Sequence, residues 1–271
     1  MLIRLMKHEF RATSRIMLPL YLILLVTAVG ANLTTRGILD TDFVVLNMLG
    51  VLLIAAFFIA IMGVCVMSLV LMIQRFYKNL LGDEGYVMMT LPVSVHQQVW
   101  SKIIVSTVWF TLTAVAVILA GCIVAYQVGL VTQFFRALGD FLRKLTAYYA
   151  LNGAAMMLEL LVLCFVSAAA LCLQFYAALA IGHSRPSHKL AWSVLFFFAL
   201  QFAIQMISAV LMAVFDESPF QYWFLYNFDF HLNGMTAFHV MMVVLIVLAA
   251  LYGAVFYFLT TFFLKKHLNL E

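Results

Sequence analysis

One acidic residue, Glu159, lies inside an otherwise apolar stretch that runs from Tyr148 to Ile181. A carboxyl group in such surroundings is unfavourable unless it is paired or performs a function. Two roles are open for Glu159: a protonated hydrogen bond to a neighbouring helix, or contact with a polar or cationic substrate along a pathway. We identify no basic residue in another apolar stretch that would pair with it.

The sequence lacks the common nucleotide-binding and catalytic motifs. No GxxxxGK[ST] loop occurs to hold nucleotide phosphates, and neither HExxH nor GxSxG is present. His183 and His188 flank a short loop at a spacing that does not suit one helix face, and the four cysteines lie in apolar runs without a CxxC pair. We therefore predict no catalytic residue, metal or cofactor in this chain, and no enzymatic activity of its own.

The composition is typical of an integral membrane protein. The chain is 66% hydrophobic and 10% charged over 271 residues, whereas a soluble domain carries about 25% charged residues. Six apolar stretches exceed or approach the roughly 20 residues that a transmembrane helix needs. They cover residues 16–33, 43–73, 103–130, 148–181, 190–215 and 239–264. The sequence predicts an all-α fold, a single transmembrane domain of six helices, and no nucleic-acid-binding patch.

Two segments outside the spans have amphipathic patterns. In residues 1–15, Leu2, Ile3, Met6 and Phe10 share one helical face and basic residues occupy the rest. This pattern favours an interfacial helix, and a charged flank that only fixes topology is the alternative. Residues 134–149 alternate apolar and charged positions in the same way and predict a helix on the outer leaflet.

A third segment, residues 218–230, is strongly aromatic. Seven of its thirteen residues are aromatic, and it has no lysine or arginine. An aromatic belt at the membrane interface explains this composition, and a short re-entrant hairpin that caps a pathway explains it equally well. In the second interpretation an external gate is formed by Phe220, Tyr222, Trp223, Phe224 and Tyr226.

The longest hydrophilic stretch between spans covers residues 74–102. Its glycines at 82 and 85 bracket an acidic pair, a short helical turn is predicted from Tyr86 to Met89, and Pro92 ends that turn. Ser94 and Gln97 form a capping box that begins the next helix. The pattern indicates a short helix between two kinks, a shape suited to docking into a cleft on a cytoplasmic partner.

This stretch resembles the cytoplasmic loop of bacterial ABC-type exporter permeases, over FYKNLLGDEGY at residues 76–86 and TLPVS at residues 90–94. The opening KHEFRAT, residues 7–13, is similar to the interfacial elbow helix of that family. The resemblance implies a coupling loop that contacts a separate ATPase subunit through Asp83, Glu84, Gly85, Tyr86, Thr90, Leu91 and Pro92. Residues 134–149 depart from the family pattern, which leaves the substrate class open.

The resemblance implies the membrane permease subunit of an ABC exporter. ATP and Mg²⁺ would bind to the separate ATPase subunit, and a second permease copy, either identical or a sister chain, would complete the pathway in the plasma membrane. The alternative is a stand-alone channel, secondary transporter or membrane scaffold without an ATPase partner. A neighbouring gene for a P-loop ATPase would distinguish the two.

The charge distribution predicts that both termini are cytoplasmic. In the six-span arrangement 11 of the 15 lysines and arginines lie on the side of the termini, as the positive-inside rule requires. We expect a compartment-specific reporter fused to Glu271 to be active only in the cytoplasm, and one inserted near Asp140 only outside. An external C-terminus would rule out the six-span topology.

Overall fold

The computed structural model describes residues 2–35, 44–82, 85–86, 90, 93–126, 133, 136–137, 139–140, 143–144, 153–185, 187–216 and 234–266. Within these ranges six long α-helices follow one another without a strand. They are α1 (Leu2–Thr35), α2 (Val44–Phe76), α3 (Val95–Val124), α4 (Gly153–Gly182), α5 (Lys189–Asp216) and α6 (Gly234–Lys266). A short π-helical segment, Tyr77–Leu81, continues α2 directly.

All six helices are long and apolar enough to cross a membrane. The most apolar 18-residue window of each has a mean hydropathy between 2.1 and 2.9. Large apolar side chains cover much of their outer surface, including Leu22, Phe58, Phe202 and Leu251. A surface of this kind is unfavourable in water and suited to lipid. The prediction of an all-α, multi-pass membrane protein is therefore confirmed.

The helix bounds extend or shorten some of the predicted spans. Helix α1 is continuous over its 34 residues and is about 51 Å long, so it joins residues 1–15 to the first span. The position of residues 1–15 at the membrane surface stays a prediction. Helix α2 and its π-helical continuation reach Leu81, beyond the predicted span end at residue 73. Helix α3 ends at Val124, before the predicted end near residue 130.

The described helices belong to two compact units. Unit 1 contains residues 1–75 and 100–141, and unit 2 contains residues 76–99 and 142–271. In unit 1 the core consists of small and large apolar side chains from α1, α2 and α3. Its buried members are Leu24, Ala28, Ala31, Phe57, Val64 and Ala120.

The end of α3 is fixed by a polar side chain from α1. The amide of Asn32, which is buried, donates to the carbonyl oxygens of Ile123, Val124 and Tyr126 over 2.8, 3.2 and 3.0 Å. The last carbonyls of a helix have no partner within the helix itself. Asn32 therefore supplies a donor to the last carbonyls of α3 and ties this end of α3 to α1.

At the opposite end of unit 1, a buried ion pair joins α1 to α3. The Lys102 Nζ donates to Glu9 Oε1 over 2.6 Å, and the exposed fractions of the two side chains are 2% and 8%. Thr13, one turn further along α1, donates its hydroxyl to the Glu9 carbonyl oxygen over 2.8 Å. A buried charge without a partner is strongly unfavourable, so this pair requires α1 and α3 to lie together here.

Unit 2 brings α4 into contact with both α5 and α6. A β-carbon at Gly253 of α6 would lie only 3.5 Å from that of Ala170 on α4. At the turn between α4 and α5, a β-carbon at Gly182 would lie 2.6 Å from the Ser193 α-carbon. Since no side chain fits at that distance, glycine at 182 lets the start of α5 pack directly against the end of α4.

Candidate functional site

The base of the predicted coupling loop is held in unit 2 by the π-helical segment. Asn79, Leu80 and Leu81 of this segment are buried, and the Gly82 N–H closes its end by donating to the Tyr77 carbonyl over 2.8 Å. These residues belong to the stretch 74–102, which was predicted to be hydrophilic. The apolar pair Leu80-Leu81 before the first glycine was the signal that the helix continues.

Two aromatic contacts join this base to the C-terminal end of α4. The rings of Phe76 and Tyr176 stack with centroids 4.0 Å apart and an interplanar angle of 7°, and both side chains are fully buried. Tyr77 meets the His183 ring edge to face at 5.2 Å. Stacked and edge-to-face geometries are the favoured arrangements of aromatic pairs. The base of the loop therefore moves with α4.

His183 itself is held as a neutral side chain. It is buried, and its Nδ1 lies 2.8 Å from the Leu179 carbonyl oxygen. Because a carbonyl oxygen only accepts, Nδ1 carries the proton and donates. Burial lowers the pKa of His183, and the nearby Lys189 charge lowers it further, against the effect of the Leu179 hydrogen bond. His183 is thus a packing residue at the turn between α4 and α5.

The other end of the loop is tied to α6. Ser94 accepts the Gln97 N–H through its hydroxyl oxygen over 3.3 Å, which confirms the predicted N-cap of α3. Two residues after Ser94, His96 contacts the Tyr257 hydroxyl through Nδ1 at 2.6 Å. Its Nε2 contacts Lys265 Nζ at 2.8 Å. Since the lysine can only donate, Nε2 accepts and Nδ1 donates to the tyrosine oxygen.

Only part of the predicted coupling loop lies within the described residues. Gly85 and Tyr86 are helical, Gly85 is buried, and its N–H donates to the Gly82 carbonyl over 2.8 Å. The Tyr86 side chain is 53% exposed, and Thr90 is helical and exposed. Asp83, Glu84, Leu91 and Pro92 lie outside the described residues.

Glu159 has a partner that the sequence analysis missed. The His239 Nδ1 lies 2.8 Å from each carboxylate oxygen of Glu159, and the two side chains are 23% and 19% exposed. This contact joins α4 to α6 within unit 2. The expectation that no basic residue would pair with Glu159 was wrong, because a histidine at the start of the sixth span was not counted as a partner. Whether Glu159 also contacts a substrate stays a prediction.

A second polar cluster lies deeper in the same helices. Gln174 of α4 is buried, donates to the Gln201 side-chain oxygen over 2.6 Å, and accepts the Tyr252 hydroxyl over 3.0 Å. The cluster therefore links α4 to α5 and α6. Hydrogen bonds between membrane helices contribute about 0.6 kcal/mol each on average. Several of them together still favour one arrangement of the three helices over others.

Few residues of the segments that are predicted to be external lie within the described residues. The predicted gate residues Phe220, Tyr222, Trp223, Phe224 and Tyr226 lie outside the described residues. In the stretch 134–149 the described positions 136–137, 139–140 and 143–144 are helical, in agreement with the predicted helix. The apolar face proposed for that helix also lies outside the described residues.

Comparison with known proteins finds no match to a family model, to a curated protein or to a solved structure.

The Glu159–His239 contact predicts a graded response to substitution. Glu159→Gln keeps an oxygen that accepts from Nδ1, whereas Glu159→Leu leaves the half-buried imidazole without that acceptor. We expect Glu159→Leu to reduce the free energy of unfolding by about 1–3 kcal/mol, and Glu159→Gln by much less. Thermal unfolding in detergent would measure both, with His239→Leu added to Glu159→Leu as the control that removes the unpaired group. Equal midpoints for the Gln and Leu variants would show that the hydrogen bond contributes nothing.

Proposed function

We propose that this protein is the membrane permease subunit of an ATP-binding-cassette exporter. In this proposal it lies in the plasma membrane with both termini in the cytoplasm. It forms the substrate pathway with a second permease copy, and the loop around Tyr86 receives force from a separate ATPase subunit. ATP and Mg²⁺ belong to that ATPase subunit, since this chain has no phosphate-binding loop sequence.

The observation that carries the proposal is the attachment of both ends of the loop to membrane helices of one unit. Phe76 and the π-helical segment fix the first end to α4, and His96 fixes the second end to α6. Helices α4 and α6 also pack against each other, with Gly253 close to Ala170. A displacement of either end of this segment would therefore also displace the helix that holds it.

This geometry is suited to transmitting a displacement from a cytoplasmic ATPase subunit to the membrane helices. Close-packed interiors transmit displacement because side chains have few voids to move into. Tyr86 presents an exposed aromatic surface within this segment, and aromatic side chains frequently anchor protein–protein interfaces. A push on this surface would reach α4 through the Phe76–Tyr176 stack. It would reach α6 through the contacts of His96.

Helix α5 supports a pathway or a second copy beside unit 2. Gln201, Gln205 and Ser208 follow the i, i+4, i+7 spacing of one helix face, and the last two are exposed. An exposed amide at membrane depth, such as that of Gln205, is unfavourable against hydrocarbon, so this face requires either water or protein next to it. In the proposal, a substrate pathway supplies the water and a second permease copy supplies the protein.

The proposal predicts that Tyr86 is an anchor for the ATPase. We expect Tyr86→Ala and Glu84→Arg to leave the protein folded in the membrane but to weaken ATPase binding. Loss of an aromatic anchor corresponds to about 2 kcal/mol, or roughly 30-fold in affinity. The measurement is the amount of P-loop ATPase that copurifies with the full chain, together with ATP turnover in vesicles that contain both proteins.

A matched control for this test is Tyr126→Ala. Tyr126 is 55% exposed, close to the 53% of Tyr86, but it follows the far end of α3. We expect Tyr126→Ala to bind the ATPase and to stimulate ATP turnover like the wild type. If Tyr86→Ala and Glu84→Arg behave like Tyr126→Ala, the loop is not the coupling element. If no ATPase copurifies with the wild type either, a channel, secondary transporter or scaffold replaces the exporter.

A further inference from the structure

The turn between α4 and α5 carries a group of basic residues at the ends of two predicted spans. Arg185, His188 and Lys189 follow one another closely there, and the side chains of Arg185 and His188 are exposed. The apolar run of α4 ends at Ile181, and that of α5 starts at Leu190. Such boundaries between charged and apolar sequence mark the level of the lipid headgroups. This assignment needs no choice of membrane side, because it depends only on where the apolar runs end.

No carboxylate in the described part of unit 2 offsets the positive charge of this turn. Glu159 is the only acid of that unit whose side chain the structure describes, and it lies near the start of α4. About 34 Å of helix separate Glu159 from Gly182 at the end of α4. Salt screens exposed charges over about 8 Å under physiological conditions. Among the described residues of unit 2, Arg185 and Lys189 therefore give the turn a net positive charge, which favours an anionic ligand.

The indole ring of Trp192 holds the Arg185 guanidinium at this level. The guanidinium carbon lies 5.4 Å from the centroid of the ring, within the range of about 6 Å for a cation–π contact. The Arg185 side chain makes no hydrogen bond to another residue that the structure describes. A guanidinium carries five N–H donors, so Arg185 is positioned by the ring and still has donors to offer to the oxygens of a ligand.

An exposed apolar face of α5 continues from Trp192 towards the membrane interior. Helix α4 packs against a different side of α5, the side that carries Ser193, Phe197 and Gln201. The exposed face is turned away from α4 and repeats at helical spacing. Its members are Trp192, Ala199, Ala203, Met206 and Val210. An acyl chain whose headgroup lies at the turn can run along this face, since lipid solvates apolar side chains well.

We propose that this turn binds the phosphate group of an anionic phospholipid, with an acyl chain along the exposed apolar face of α5. The Arg185 guanidinium donates to the phosphate oxygens, a pairing that arginine makes in bidentate geometry. Lys189 adds a second positive charge, and Trp192 keeps the guanidinium at the headgroup level. An anionic lipid is favoured over a zwitterionic one because its headgroup has no ammonium for the two cations to repel. The site depends neither on an ATPase partner nor on a transported substrate.

The test uses the full chain in a neutral detergent at about 0.15 M salt, where exposed charges are screened. Native mass spectrometry measures its affinity for phosphatidylglycerol and phosphatidylcholine with the same short acyl chains, and for inorganic phosphate. We expect phosphatidylglycerol to bind at least about tenfold more tightly than the other two. Arg185→Gln should weaken this binding about tenfold, since it removes charge-assisted hydrogen bonds. Trp192→Leu should weaken it about two- to fivefold, since it removes the cation–π contact and keeps an apolar side chain.

Two controls distinguish the site from general surface charge. Arg15→Gln removes an exposed arginine that also lies beside the start of an apolar run, in α1, and should change the affinity less than about twofold. Arg185→Lys keeps the charge without the bidentate geometry, so its affinity should fall between those of the wild type and Arg185→Gln. Equal affinities of the wild type and Arg185→Gln, or equal losses in Arg185→Gln and Arg15→Gln, would overturn the site. Phosphatidylcholine or inorganic phosphate binding as tightly as phosphatidylglycerol would overturn its assignment to an anionic lipid.

Discussion

Hydrocarbon offers no hydrogen-bond partner, and this constraint determines which helices of the protein lie together. Apolar side chains do not determine which helices pair, because lipid solvates them as well as another helix does. Polar groups that are buried away from water, whether at membrane depth or beside the ends of the spans, need a partner from the protein. The Glu9–Lys102 pair and the Asn32 amide each join α1 to α3, while the Glu159–His239 contact joins α4 to α6. In each unit the helix pairs are thus specified by a few polar residues in a mostly apolar chain.

The same logic connects the fold to the proposed function. The loop around Tyr86 is fixed to α4 by the Phe76–Tyr176 stack and to α6 by His96, so its ends have little freedom to move alone. The rigid attachment is what a transporter needs if nucleotide chemistry on a partner is to change the arrangement of its membrane helices.

The sequence was sufficient to predict the helices but not their contacts. Long apolar runs identify spans directly, since the bilayer sets their length, and the Ser94 cap was predicted from its spacing to Gln97. The partners were missed because interhelical contacts depend on how helices rotate and tilt, which periodicity does not determine in an apolar helix. His239 lies at the edge of a predicted span and was not considered as a partner for Glu159. Lys102 was interpreted as a charge that only sets the membrane topology, although its side chain is buried. One local signal was overlooked: the apolar pair Leu80-Leu81 at the end of the π-helical segment indicates that the helix continues beyond residue 73.

The claim that polar pairs specify the fold is tested most directly on Glu9 and Lys102. A double-mutant cycle would compare Glu9→Gln, Lys102→Met and the combined variant by reversible unfolding in detergent or bicelles. Each single variant leaves a buried group without its charged partner, so we expect each to lose about 3–5 kcal/mol of unfolding free energy. The double variant should lose much less than the sum of the two. Additive losses in the double variant would contradict the account, because they would mean that the two side chains stabilise the protein independently.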